Sequence, residues 1–282
     1  MLPDFIICGA MKCGTTSLHY MLDQHPEMCL PESKLGYNEL HFFDNEENYI
    51  KGIGWYEQFF DVCRKGTLIG QTSPAYIFRS MVPKRIYKCI PEVKLIFILR
   101  DPVDRAYSQY WSKIKNGTEP EDFYTALGLE SERMKRSHQD SMRYSYASRG
   151  MYIDQIELFL KCFPKEQMFF ILTEDLREAG QVILKELQLF LNINPMVLPK
   201  IHTNKGSYPK MLRSRRWLNC SPLRKHFKTL VKIDRRFNST TKRPIMDSKS
   251  IDFLSRLFND SNKRLADLIG RDLSHWKGQS GY

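Results

Sequence analysis

The sequence lacks any apolar run near the roughly 20 residues needed to cross a bilayer, so no stable membrane insertion is expected of its 282 residues. Its start, Met1-Leu2-Pro3-Asp4-Phe5, has neither the basic nor the apolar region of a signal peptide. A cytoplasmic location is the expectation. The seven cysteines (Cys8, Cys13, Cys29, Cys63, Cys89, Cys162 and Cys220) form no CxxC pair and no metal-ligand spacing, and their number is odd. Free thiols in a reducing compartment are therefore expected, with no metal. Internal repeats and low-complexity tracts are absent, and the composition excludes collagen, coiled coil and disorder.

What is present suits a globular chain: 42% apolar and 12% aromatic residues can bury a full core. One domain over 1–282 is expected, with a basic, loop-rich region at 203–243 and a C-terminal helix at 248–270. Lysine and arginine number 43 against 32 acidic residues, a formal charge of +11 that draws anions to the surface. That charge alone suits nucleotides, sulfated sugars, nucleic acid or anionic membrane equally. The run that includes Arg213, Arg215, Arg216, Arg235 and Arg236 fits an anionic polymer, although charge runs are usually solvated surface.

Hydrophobic patterning gives the order of elements. Phe5-Ile-Ile-Cys-Gly9 reads as a buried strand, followed by a Gly-containing turn and an amphipathic helix over 15–24. Strands are predicted at 67–70, 94–100 and 167–172. Helices are predicted from Pro102, capped by Asp101, to about Ile114, and over 146–163, 175–191 and 248–269, the last between Asp247 and Gly270. Strands alternating with helices predict an α/β fold, a P-loop-like three-layer sandwich with a central, mostly parallel sheet.

The turn Gly9-Ala-Met-Lys12-Cys13-Gly14-Thr15-Thr16 has the two-glycine spacing of a P-loop, but its Lys stands two positions before the second glycine. A loop of this kind aims backbone N–H groups and a helix N-terminus at an anion. The displaced Lys, and the lack of a strand-borne Walker B Asp, argue against an ordinary Mg-dependent NTPase.

Lys12-Cys-Gly-Thr-Thr-Ser17, with Leu22 and His25-Pro26, resembles the 5′-phosphosulfate loop of sulfotransferases that use 3′-phosphoadenosine 5′-phosphosulfate (PAPS). Leu95 to Ser108 resembles their 3′-phosphate motif. Asn38-Glu-Leu-His-Phe-Phe-Asp44, followed by Gly54-Trp55-Tyr56, is similar to the acceptor segment of heparan sulfate sulfotransferases. Thr72-Ser-Pro-Ala-Tyr76 is similar to their next strand and turn, and Asn204-Lys-Gly-Ser-Tyr208 to their nucleotide-closing loop. The stretch from Asn262 to Trp276 looks more like bacterial members. Two departures stand out: Gln71 replaces a Lys, and Pro209-Lys-Met-Leu replaces a cysteine pair. An acceptor other than heparan follows from these.

The resemblance implies roles. Lys12 and the amides from Gly14 to Ser17 would stabilise charge on the leaving phosphate, and Cys13, Thr15, Thr16 and Ser17 would line the 5′ site. Arg100 and Ser108 would hold the 3′-phosphate, since a guanidinium suits bidentate contact, with Lys205 and Gly206 closing over the nucleotide. Glu39 would be the base, with His41 beside it; in an extended stretch the two project from one face. Asp44, Trp55, Tyr76 and Arg149 are candidates for the acceptor site, and Gly150 and Tyr152 are expected near the acceptor cleft with Arg149, a placement that helix capping explains almost as well. The partners implied are PAPS and a polysaccharide, glycolipid or small-molecule acceptor, with no nucleic acid and no metal. A Golgi luminal location is the alternative to the cytoplasm. Two other functions stay open at this point: a P-loop small-molecule kinase, and a non-enzymatic polyanion-binding protein.

Overall fold

The computed structural model describes residues 1–31, 39–201, 208 and 238–278. Lys205, Gly206 and the arginines from 213 to 236 lie outside the described residues. The chain divides into two compact units, Met1–Arg100 with Tyr152–Asn204, and Asp101–Met151 with Lys205–Tyr282. In chain order the elements are β1 (Phe5–Gly9), α1 (Thr15–Leu22), β2 (Met28–Cys29), α2 (Glu46–Tyr49), α3 (Ile53–Glu57), β3 (Leu68–Thr72), α4 (Val82–Cys89), β4 (Lys94–Leu99), α5 (Pro102–Asn116), α6 (Phe123–Gly128), α7 (Glu130–Arg136), α8 (His138–Tyr144), α9 (Tyr152–Leu160), β5 (Met168–Leu172), α10 (Thr173–Glu178), α11 (Gly180–Phe190) and α12 (Ser248–Ile269).

The first unit is built on a five-stranded, wholly parallel sheet of order β2-β3-β1-β4-β5. The central strands read as near-continuous apolar runs because both their faces are covered. Every residue of β1 is buried, and so is β4 from Leu95 onward. Helices flank the sheet, with α1 packed on β1 and β3, α11 on β5, and α4 on α9. His19 of α1 is 1% exposed and meets the Thr72 hydroxyl at the end of β3 through Nδ1, at 2.9 Å.

The second unit packs α5 and α6 against α12 around an aromatic core that includes Tyr107, Tyr110, Trp111, Phe123, Tyr146 and Phe258. Asp247 caps α12 by accepting from Ser250 N–H, and Gly270 ends the helix at φ 67. Within this core Glu119 is fully enclosed and takes both the Arg133 guanidinium, at 2.9 and 3.1 Å, and the Tyr146 hydroxyl, at 2.7 Å. Burial, and then the Glu119 carboxylate, push the Tyr146 phenol far above its ordinary range.

Two predicted helices come out differently. Residues 148–150 form a 3₁₀ turn, so the helix expected from 146 begins at Tyr152. The helix expected over 175–191 is two helices, parted at Ala179 (φ −124, ψ 34) just before Gly180, where helix propensity is poorest. No helix among the described residues is long and apolar enough to cross a membrane.

The expectation of free thiols is corrected. Cys29, at the end of β2, is disulfide-bonded to Cys63, with 34 residues of sequence separation, while Cys8, Cys13, Cys89 and Cys162 are free. Spacing rules detect local pairs, and a bridge made by the fold between distant segments escapes them. Closing a loop of this length restricts the unfolded chain by about 3–4 kcal/mol in the chain-entropy treatment. Reduction with dithiothreitol should therefore lower the urea unfolding free energy by about that amount, and an unchanged midpoint would show that the bridge adds no stability.

Candidate functional site

The loop after β1 is shaped by a glycine that tolerates no side chain. A Cβ on Gly9 would lie 2.4 Å from Ile77 Cγ2, so the strand end and the turn at 76–78 are in direct contact. Ala10 N–H then donates to Ile98 O of β4 at 2.7 Å, and the chain turns back through Lys12 (φ 74) to Gly14 (φ 103). Both sit in the left-handed region, which only the glycine adopts freely. The first i→i−4 bond of α1 runs from Leu18 N–H to Gly14 O, so the amides of Thr15, Thr16 and Ser17 precede the helical ladder. The positive end of the helix carries no side-chain cap and no acidic residue in its first turn, the arrangement that suits an anion. Cys13 is wholly buried and Thr15 is 3% exposed, so the loop presents backbone more than side chains.

Arg100 follows the last residue of β4, and its carbonyl accepts from the buried Tyr152 hydroxyl at 3.0 Å. The sequence suggests Tyr152 near the acceptor cleft; the structure ties it to the β4 end and to Cys13, whose Sγ lies 3.6 Å from the phenol oxygen.

The candidate acceptor strip, Glu39 to Asp44, belongs to the same unit. The buried Asp44 carboxylate accepts from His41 Nδ1 at 2.9 Å, and His41 Nε2 lies 3.4 Å from Glu39 Oε2. His41 and Glu39 are 41% and 37% exposed, so the far end of this chain opens to solvent while its near end is fixed. Glu39 and His41 do meet, but not by strand geometry: His41 has φ 49, and it is the turn there that brings the imidazole between the two carboxylates. Asn48 secures that turn by donating to His41 O at 3.1 Å.

Tyr76 holds the strip from behind. Its hydroxyl, fully enclosed, accepts from the Phe42 and Phe43 amides at 3.2 and 3.3 Å, and burial with the nearby Asp44 raises its pKa far beyond the usual phenol range. Because Tyr76 and Ile77 share one turn, the contact with Gly9 and the grip on residues 42–43 come from adjacent side chains. The donor-type loop and the Glu39 strip are therefore set against a common element.

Trp55 is half-buried, stacked on Phe42 at 6.0 Å, with Lys51 Nζ 4.4 Å from the ring centroid. Gln71, which stands where the resembled enzymes have Lys, donates to Ser73 Oγ at 2.6 Å and accepts from the buried Tyr56 hydroxyl at 3.4 Å. An internal amide thus fills a place that a cation would charge.

In the second unit, Ser108 is half-buried on α5 and Arg149 is buried, its Nε donating to Ser145 Oγ at 2.8 Å. Asp101 caps α5 through Val103 N–H at 2.9 Å and also accepts from Gly278 N–H at 2.7 Å. Gly278 has φ 68, and a Cβ there would meet Val103 Cγ1 at 2.6 Å. Among the described residues no group of His, Cys, Asp or Glu is arranged to hold a metal ion.

The family model described as sulfotransferase domain matches residues 2–267. The mouse protein "Heparan sulfate glucosamine 3-O-sulfotransferase 5" is 30% identical over 281 residues, covering 97% of this chain and 74% of that one. The human "Bifunctional heparan sulfate N-deacetylase/N-sulfotransferase 3" is 32% identical over 293 residues, covering 99% of this chain but only 31% of its own length. A crystal structure of a sulfotransferase from Alicyclobacillus acidocaldarius superposes with a TM-score of 0.72 at 27% identity, covering 98% of this chain and 99% of that one.

Burial pushes the Asp101 carboxyl up to about 6, against the amides of Gly278 and Val103, which favour its charged form. The native state then holds a proton that the unfolded chain releases, so this group's contribution to stability falls as pH rises from about 4 through 6. Asp101→Asn should flatten that slope in urea titrations while costing about 1–2 kcal/mol at pH 4 for the lost acceptor. A slope identical to the wild type's would show that Asp101 does not titrate there.

Proposed function

The chain belongs to the sulfotransferase family and is a PAPS-dependent transferase, and on that premise we propose that it sulfates a hydroxyl or amine of a carbohydrate acceptor through one site in its first unit. One observation carries this reading: the turn at Tyr76–Phe78 braces both the Lys12–Ser17 loop, through Gly9, and the Glu39–Asp44 strip, through Phe42 and Phe43.

In this reading Lys12 and the first amides of α1 take the charge that grows on the leaving 5′-phosphate, Arg100 at the end of β4 holds the 3′-phosphate, and Glu39 removes the acceptor's proton as the sulfur is attacked in line. The imidazole of His41, fixed by Asp44, orients Glu39. Trp55 supplies an aromatic face of the kind that suits a sugar ring.

A carbohydrate acceptor is supported by relatives whose names specify heparan sulfate, one an O- and one an N-sulfotransferase. The neutral, internally paired Gln71 supports an acceptor that differs from theirs in charge at that point. The family match across both units supports one working sulfotransferase domain. The Cys29–Cys63 bridge favours the lumen of the secretory pathway over the cytoplasm.

Adenosine 3′,5′-bisphosphate at 100 times its dissociation constant should stabilise the fold by about 2.7 kcal/mol, with 5′-AMP or ATP plus Mg²⁺ doing less. A response to ATP with Mg²⁺ alone would turn the reading toward a kinase. Lys12→Ala should lower kcat by on the order of 10²-fold or more. Glu39→Gln should lower it by a similar order at unchanged bisphosphate affinity, and full activity in that variant would remove Glu39 as the base.

A further inference from the structure

The parallel ladder between β1 and β4 stops at Gly9 and Phe97, and past it Ala10 N–H donates to Ile98 O. Beyond that point the chains part: one becomes the Lys12–Ser17 loop, the other runs through Leu99 to Arg100. Carbonyls stranded past a ladder's end need partners. Here two hydroxyls from outside both strands supply them.

Thr173, the first residue of α10, places Oγ1 2.8 Å from Cys13 O and 2.9 Å from Leu99 O. A single hydroxyl proton thus serves one carbonyl of each chain. Tyr152, the first residue of α9, gives its proton to Arg100 O at 3.0 Å, and its oxygen lies 3.6 Å from Cys13 Sγ. Each side chain therefore grips both chains where the β1–β4 ladder no longer joins them. Tyr152, Cys13 and Leu99 are all buried, so the contacts are shielded from water.

We propose that Thr173 and Tyr152 are positioning residues that replace the missing ladder and fix the spacing between the loop for the 5′-phosphosulfate and the strand end for the 3′-phosphate. The inference rests on the donor reading above and assigns neither residue a contact with the donor. Its consequence is selectivity. A donor with both phosphates spans the two chains and is recognised only if their separation is held, whereas a nucleotide with a 5′-phosphate alone needs just the loop.

The test uses the full chain with Tyr152→Phe, Thr173→Val and Thr173→Ser; the first two keep shape and remove the hydroxyl, and each is informative alone. Dissociation constants for adenosine 3′,5′-bisphosphate and 5′-AMP are measured by titration, alongside kcat and KM for PAPS. The expected result is that the affinity ratio between bisphosphate and 5′-AMP falls about five-fold or more in Tyr152→Phe and in Thr173→Val, the scale of one hydrogen bond. Thr173→Ser should restore it, and KM for PAPS should rise more than kcat falls. An unchanged ratio in folded Tyr152→Phe or Thr173→Val, whatever happens to kcat, would overturn the inference while leaving the donor reading intact. No preference for the bisphosphate in the wild type would instead sink the donor reading, and the inference with it.

Discussion

The space for a side chain at Gly9 does not exist, and much of the candidate site depends on that. The strand end lies so close to Ile77 that the 76–78 turn becomes a shared wall, with the anion loop on one side and the Phe42–Phe43 backbone on the other. Packed interiors are as dense as organic crystals, so such a contact fixes position to a few tenths of an ångström. Catalysis by orientation needs that order of tolerance, because small misplacements of reacting groups are expensive in rate.

Asp44, Tyr76 and Tyr56 around this wall are buried and each holds a partner. Asp44 is enclosed and holds His41, which opens to solvent beside Glu39. Tyr76 and Tyr56 are enclosed and hold backbone and Gln71 respectively. A buried polar group without a partner would cost about 1–3 kcal/mol, so these pairings stabilise the fold and aim the site at once.

Much of this was legible in the sequence, and the reasons differ by element. The strand at Phe5 and the one ending at Leu99 are apolar on both faces, which only a covered parallel sheet explains. The helix from Pro102 and the one from Ser248 carry their caps in the sequence, and both begin where Asp101 and Asp247 place them. The Glu39–His41–Asp44 string was legible as a set, but its geometry was not, because a turn at His41 does what alternation was expected to do. Short helices over 123–144 lack a sustained period and were not read. Thr173 left no local signal at all: its partners, Cys13 and Leu99, are 160 and 74 residues away, and a hydroxyl at a strand-to-helix junction looks like any cap. The Cys29–Cys63 bridge was hidden for the same reason of distance.

That bridge also has an evolutionary side. It closes residues 29–63 into a ring anchored at β2, and Glu39, His41, Asp44 and Trp55 all lie on the ring. The ends of such a ring stay put whatever its interior does, and doubling the interior's length adds only about 0.6 kcal/mol of closure entropy. Exchanges at its exposed positions need not disturb the sheet, whereas Phe42, Phe43, Tyr56 and Phe60, all on the ring, are buried and tie it to the core. The exposed positions of the ring can therefore vary within a covalent border while its buried positions stay tied to the sheet.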